Sequence, residues 1–217
     1  MRTLRLLPIC GVAIIMAACG EPDLRSRAEG GDAQAQSKLG DMYAKGEGVT
    51  KDDVQAVSWY RKAAEQGNAE AQWALGLMYD NGLGVPQNAA EAVRWWRKAA
   101  DQGYAEAQHN LGFIYQAGLS VPKDAVEAAG WYRKAADQGY AQSQYKLGSF
   151  YLLGVGVPRD EVEAYAWFNL AAISEQPGRD MRGELEESLT PEQRARAQQR
   201  STDLHKEIEA RKKSAGK

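Results

Sequence analysis

Apolar positions recur along this chain in short helical windows. In the first, Ala35, Leu39, Met42 and Tyr43 fall within about a 100° arc at 100° per residue, the face that a helix buries. Ala33 and Gly40 lie beside that arc and are small enough to let a neighbouring helix approach. The pattern then repeats with a step of 36 residues: Leu39, Leu75, Leu111 and Leu147 keep it, as do Gly40, Gly76, Gly112 and Gly148, and Tyr43, Tyr79, Tyr115 and Tyr151. So do Trp59, Trp95, Trp131 and Trp167, which the spacing assigns to the core, followed by alanine pairs such as Ala63-Ala64 and Ala99-Ala100. A fixed period of this size marks a solenoid, whose units cannot bury their apolar faces alone.

Each unit reads as two helices. Asp32 and Asn68 suit N-caps ahead of a first helix such as Ala33 to Ala44, and Gly46 and Gly48 suit its left-handed end. A second helix follows from about Asp52 to Gln66 and stops at Gly67. Pro86, Pro122 and Pro158 fall between the helices or at the next helix start, where a missing N–H costs little. The units are 32–67, 68–103, 104–139 and 140–178, preceded by a half-repeat cap over Leu24 to Gly31. The fourth unit replaces its closing RKAA with Phe168-Asn169-Leu170-Ala171-Ala172. Residues 179–211 are expected to form capping helices: one from Arg179 to Leu189, then one opened by the capping box of Thr190-Pro191-Glu192-Gln193 and carrying Ala197, Leu204 and Ile208 over the last unit. A disordered tail is expected over 212–217.

The chain of 217 residues is 44% hydrophobic and 26% charged, with a net charge of −2, which gives no basic field for nucleic acid. Its start is different. Arg2 and Arg5 precede an apolar run of about 13 residues from Leu6, too short to span a bilayer comfortably and suited to a signal-peptide core over 1–18. Removing that leader takes the net charge to −4. Met16-Ala17-Ala18-Cys19 resembles the bacterial lipobox, with Met16 where leucine is usual, and the resemblance implies lipidation of Cys19. An ordinary secretory leader, with Cys19 a spare thiol, is the alternative. If Cys10 leaves with the leader and Cys19 is acylated, no thiol remains for a disulfide. The acyl chains would hold the protein at the membrane, at roughly 0.8 kcal/mol per buried methylene. Gly20 after the cysteine resembles an outer-membrane address, so the expected location is the cell envelope, facing the periplasm.

The unit from Ala33 to Gly67, with its A-x-A-Q-x-x-L-G-x-x-Y opening and W-Y-x-K-A-A-x-Q-G close, resembles the Sel1-like repeat, a relative of the tetratricopeptide repeat. The resemblance covers residues 33 to about 175. Ser120 in place of a loop glycine, Ser143 in place of an alanine and Thr50 in place of a proline are its departures. It implies an all-α fold, a right-handed α/α solenoid of about four helix-turn-helix units with a C-terminal helical cap, used for protein–protein contact.

Opposite the conserved arc of the first helix lie Gln34, Ser37, Asp41 and Ala44, the positions that change between units. The series Ser37, Trp73, His109, Tyr145 and the series Asp41, Leu77, Phe113, Ser149 would line one concave groove for an envelope protein or peptide segment, with large aromatics as anchors. The other possibility is that Trp73, Phe113 and Tyr145 pack between adjacent first helices. A cell-wall polymer is an alternative ligand for the same aromatics. Arg61-Lys62, Arg97-Lys98 and Arg133-Lys134 read as a solvated outer face or as contacts to acidic lipid or polymer.

Catalysis has little support. His109 and His205 are the only histidines, and no nucleophile elbow or phosphate-binding loop appears, so neither metal nor cofactor is expected. Disulfide-rich Sel1-like proteins have been linked to β-lactam or peptidoglycan chemistry, but this chain lacks their cysteine pairs.

Overall fold

The computed structural model describes residues 22–173 and 176–215. The leader and Cys19 lie outside the described residues, as do the last two residues of the tail. A short α1 (Pro22–Glu29) is followed by four helical hairpins: α2 (Ala33–Lys45) with α3 (Asp53–Glu65), α4 (Ala69–Asn81) with α5 (Ala89–Asp101), α6 (Ala105–Ala117) with α7 (Ala125–Ala136), and α8 (Ala141–Leu153) with α9 (Glu161–Ala171). Then come α10 (Gln176–Ser188) and α11 (Pro191–Ala215). The two helices of each hairpin pack most closely on each other, and the second helix of each of the first three hairpins packs next on the first helix of the following one, so the described residues form an α/α solenoid without strands.

Local chemistry sets the boundaries. Asp52, Asn88, Asp124 and Asp160 cap the second helices, each side chain accepting from backbone N–H groups of the first turn, a contribution of about 1 kcal/mol apiece. The first helices all end on a left-handed glycine, Gly46, Gly82, Gly118 and Gly154. Asp32 and Asn68 cap α2 and α4 through their side chains, but Tyr104 and Tyr140 stand at the same position before α6 and α8 with no side-chain cap hydrogen bond.

Three recurring contacts hold the array together, the second of them within each hairpin. First, Gln36, Gln72, Gln108 and Gln144 are buried and donate to the carbonyls of Ala28, Ala64, Ala100 and Ala136 in the preceding unit, at 2.9, 3.0, 3.1 and 3.2 Å. The first three also accept from Gln66, Gln102 and Gln138 of the second helix at 2.7 to 2.8 Å. Second, Gly40, Gly112 and Gly148 give room to the rings of Tyr60, Tyr132 and Phe168, whose carbons lie 2.6 to 2.8 Å from where a Cβ would stand; Gly76 does the same for Trp96. Third, Arg61, Arg97 and Arg133 donate to the hydroxyls of Tyr79, Tyr115 and Tyr151, one unit further on.

The recurring tryptophans are buried, with Trp167 wholly so. Lys62, Lys98 and Lys134 place their ammonium groups 4.0, 4.3 and 3.6 Å from the ring centres of Trp59, Trp95 and Trp131. The Arg-Lys pairs are therefore engaged with aromatic rings, the lysines within their own helix and the arginines across the junction. They are more than a solvated face.

At the C-terminal end, the capping box is formed: Thr190 N–H donates to Gln193 Oε1 at 3.0 Å and Gln193 N–H to Thr190 Oγ1 at 3.2 Å. Both α10 and α11 pack chiefly on α9, and Arg194 of α11 also donates to the carbonyl of Glu186 in α10 at 2.9 Å. Leu204 and Ile208 are buried with Ala136, Leu147, Trp167 and Leu170. The helix continues through Ala215, past the expected end at Arg211. Its last turns are held by Arg211 on Asp137 at 2.8 Å and by Lys212, which lies over Gly139 and pairs with Glu209 at 3.1 Å.

Candidate functional site

The variable positions of the first helices separate into two rows. Ser37, Trp73, His109 and Tyr145 turn toward the next unit. Ser37 is fully buried, its hydroxyl without a partner, and offers nothing to a groove. Trp73 is half-buried between the cores of units two and three, its ring centre 5.7 Å from that of Tyr104, and its carbonyl accepts from Trp96 Nε1 at 3.1 Å. With the Asn110 amide oriented so that its oxygen faces α4, Trp73 Nε1 donates to it at 3.3 Å. Tyr145 packs at 5.6 Å on Phe168.

His109 is enclosed by two tyrosine rings. Its ring lies 5.5 Å from Tyr132 and 5.2 Å from Tyr140, and its Nδ1 is 2.9 Å from Ser143 Oγ. Burial, and next the charge of Lys146, push its pKa down to about 4, so the imidazole is neutral near pH 7. Tyr104 and Tyr140 thus give up the capping hydrogen bond of their position and cover Trp73 and His109.

The second row faces outward. Asp41 is half-buried and accepts from Tyr60 Oη at 2.7 Å; burial first, and then this bond, raise the Tyr60 pKa. Leu77 leans on the core of unit three, and Ser149 donates to the carbonyl of Tyr145 at 3.0 Å. Phe113 is 49% exposed although it sits mid-helix on α6, and Leu153, at the end of α8, is 70% exposed. Lys38 and Lys45 on α2, Glu70 and Asn81 on α4, Glu106 and Ala117 on α6, and Gln142 and Lys146 on α8 complete the accessible strip, all exposed or half-exposed. The exposed face is therefore phased in the first unit on positions 34, 38, 41 and 45, although in the second unit Ala74, at the position of Lys38, is buried. Position 37 belongs to the junction between units.

A negative field crosses this strip in units two and three. Burial, then Glu106, Glu70 and Asp41, raise the Tyr104 hydroxyl to about 12, which shows three carboxylates acting on one ring. A concavity of about 450 Å3 lies elsewhere, among α9, α10 and α11, lined by Asn169, Arg182, Ser201, Thr202 and His205. There Arg182 donates to Asn169 Oδ1 at 3.3 Å, and the two hydroxyls donate to the carbonyls of Ala197 and Gln198. Among the described residues, no group of three or more His, Cys, Asp or Glu could hold a metal ion, and no helix is long and apolar enough to cross a membrane.

Comparisons with known proteins follow the same period. The Sel1 repeat matches residues 33–68, 69–104, 105–140 and 141–174. No curated protein sequence matches. Among solved structures, a Sel1 repeat protein from Oxalobacter formigenes is similar with 39% identity and a TM-score of 0.70, covering 75% of this chain and 48% of that one. A protective antigen of uropathogenic Escherichia coli strains, displaying an SLR fold, is similar with 34% identity and a TM-score of 0.54, covering 85% of this chain and 48% of that one. The chain thus spans about half the length of these two relatives. Sel1 repeat proteins are generally protein–protein interaction scaffolds and are typically non-catalytic. With four consecutive units of the motif, each folded as a helical hairpin in unbroken register, this chain belongs to the Sel1 repeat family.

Proposed function

We propose that this protein is a lipid-anchored, non-enzymatic adaptor of the cell envelope, whose first-helix face takes a segment of another envelope protein. The single observation that carries the reading is Phe113, a large aromatic side chain 49% exposed at the centre of the array. Every equivalent of Leu111, two residues earlier on the same helix, is buried. An aromatic held open on a rigid scaffold is the usual anchor of a protein interface. The lipid anchor rests on the leader and on Met16-Ala17-Ala18-Cys19, as does the assignment to the outer membrane facing the periplasm. A non-enzymatic role is supported by His109, whose imidazole is neutral and packed between two tyrosine rings.

Polymer binding has weaker support on this face, because Trp73, His109 and Tyr145 lean on interior rings and leave Phe113 as the open aromatic of the two rows. The test is site-specific photo-crosslinking in intact cells, with the probe at Phe113 and a control at Lys98, whose side chain lies over Trp95 in the second-helix layer. A discrete protein adduct at position 113 and none at 98 is expected. Equal adducts at both positions, or none, would remove the groove.

A further inference from the structure

The chemistry of the exposed strip says what kind of segment it takes. Glu70 opens α4 and Leu77 follows two turns later on the same face; Glu106 opens α6 and Phe113 stands in the same relation to it. Two rows therefore run side by side across units two and three, one acidic and one apolar, about 10 Å apart along the helix axes. Neither Glu70 nor Glu106 makes an ion pair among the described residues, whereas Glu91, Glu161 and Glu163 on the second helices are each paired with an arginine. Trp73, one turn from Glu70, and Tyr104, two residues before Glu106, form a tilted ring pair at 5.7 Å. That pair lies half-buried beside the two carboxylates. Lys38 and Lys146 bound the acidic stretch in units one and four.

We infer that the partner is a protein segment carrying a basic side chain and an apolar side chain about 10 Å apart, the first meeting Glu70 and Glu106 and the second lying against Leu77 and Phe113. This inference rests on the reading of the first-helix face as the binding face. The separation corresponds to about three residues of an extended chain or seven of a helix. Charge complementarity selects this occupant: an anionic lipid, a nucleic acid or an acidic peptide would meet two uncompensated carboxylates.

The experiment is a display selection of random dodecapeptides on the purified protein, followed by binding of one enriched peptide, made synthetically, to variants. Enriched peptides are expected to place Lys or Arg three or seven positions from Leu, Ile or Phe. The double variant Glu70→Lys, Glu106→Lys should bind about tenfold more weakly, Lys98→Glu should bind as the parent does, and all should keep the parent's helical circular dichroism spectrum at the binding temperature. Enrichment of acidic or uncharged peptides, no enrichment, or indifference to the charge reversal would overturn the inference. A photo-adduct at Phe113 that survives the reversal would sink this inference and leave the groove standing. Loss of the adduct in every background would sink the groove itself.

Discussion

His109 Nδ1 and Ser143 Oγ meet at 2.9 Å across the junction of units three and four. Ser143 stands where Ala35, Ala71 and Ala107 stand in the other units, and it is fully buried. The serine therefore supplies a partner for an imidazole that only this junction contains. Ser143→Ala, although it restores the residue of the other units, should destabilise the fold by about 1 kcal/mol. In a double-mutant cycle with His109→Leu, the coupling should exceed about 0.5 kcal/mol in urea denaturation.

The same histidine sets a pH dependence. Its folded pKa of about 4 lies below the unfolded value near 6.5, so between them the unfolded chain binds a proton that the folded chain does not. Stability present above about pH 6.5 is lost as pH falls toward 4, by at most ~1.4 kcal/mol per unit. His109→Gln removes this contribution, so the stability gap between parent and variant should shrink from pH 7.5 to pH 4.5 in thermal melts.

Two glycines 18 residues apart should respond in opposite directions. A Cβ at Gly112 would meet Tyr132 Cδ1 and Cε1 at 2.7 Å, while one at Gly130 would meet nothing within 4 Å. Gly112→Ala should lower stability by about 1 to 3 kcal/mol through overpacking. Gly130→Ala should raise it by about 0.5 to 1 kcal/mol, the helix-propensity gain. Urea midpoints compare the two directly.

Ser120 keeps the positive φ of the loop glycine it replaces, at 61°. A side chain there costs about 1 to 2 kcal/mol. Ser120→Gly should recover about 1 kcal/mol of it, measured as a rise in melting temperature.

Gln72 holds two groups at once, the carbonyl of Ala64 and the amide of Gln102. Gln72→Leu fills the space but strands the buried carbonyl of Ala64, while the exposed Gln102 amide keeps the carbonyl of Lys98, and should cost about 1 to 3 kcal/mol in denaturant unfolding. If Gln72→Leu instead matched the parent, the glutamine chain would hold no weight at the junctions.

The period, the hairpins and most helix ends were legible because they depend on residues near in sequence: caps, glycines and the arc around Leu39. The exposed strip was legible only in part, since Ser37 lies opposite that arc, as Asp41 does, and is nevertheless buried where units meet. Tyr104 and Tyr140 do the covering for Trp73 and His109, and they stand at a position where the first two units carry capping residues. The reach of Arg61 to Tyr79 and the contact of Lys212 with Gly139 join residues of different units or helices, which helical spacing alone does not register.

The two ends of the array are closed unequally. The last unit is overlain by α10 and by Leu204 and Ile208 of α11, with Arg200 bound to Glu163 at 2.5 Å, while among the described residues the first unit is closed by the eight residues of α1. Because each hairpin is tied chiefly to its immediate neighbours, disorder should propagate directionally, entering at α1 and travelling toward α9. Amide exchange would then record a gradient, fastest in α2 and slowest in α8 and α9. Tension applied through the amino terminus would peel the hairpins off singly, from the end nearest the proposed anchor.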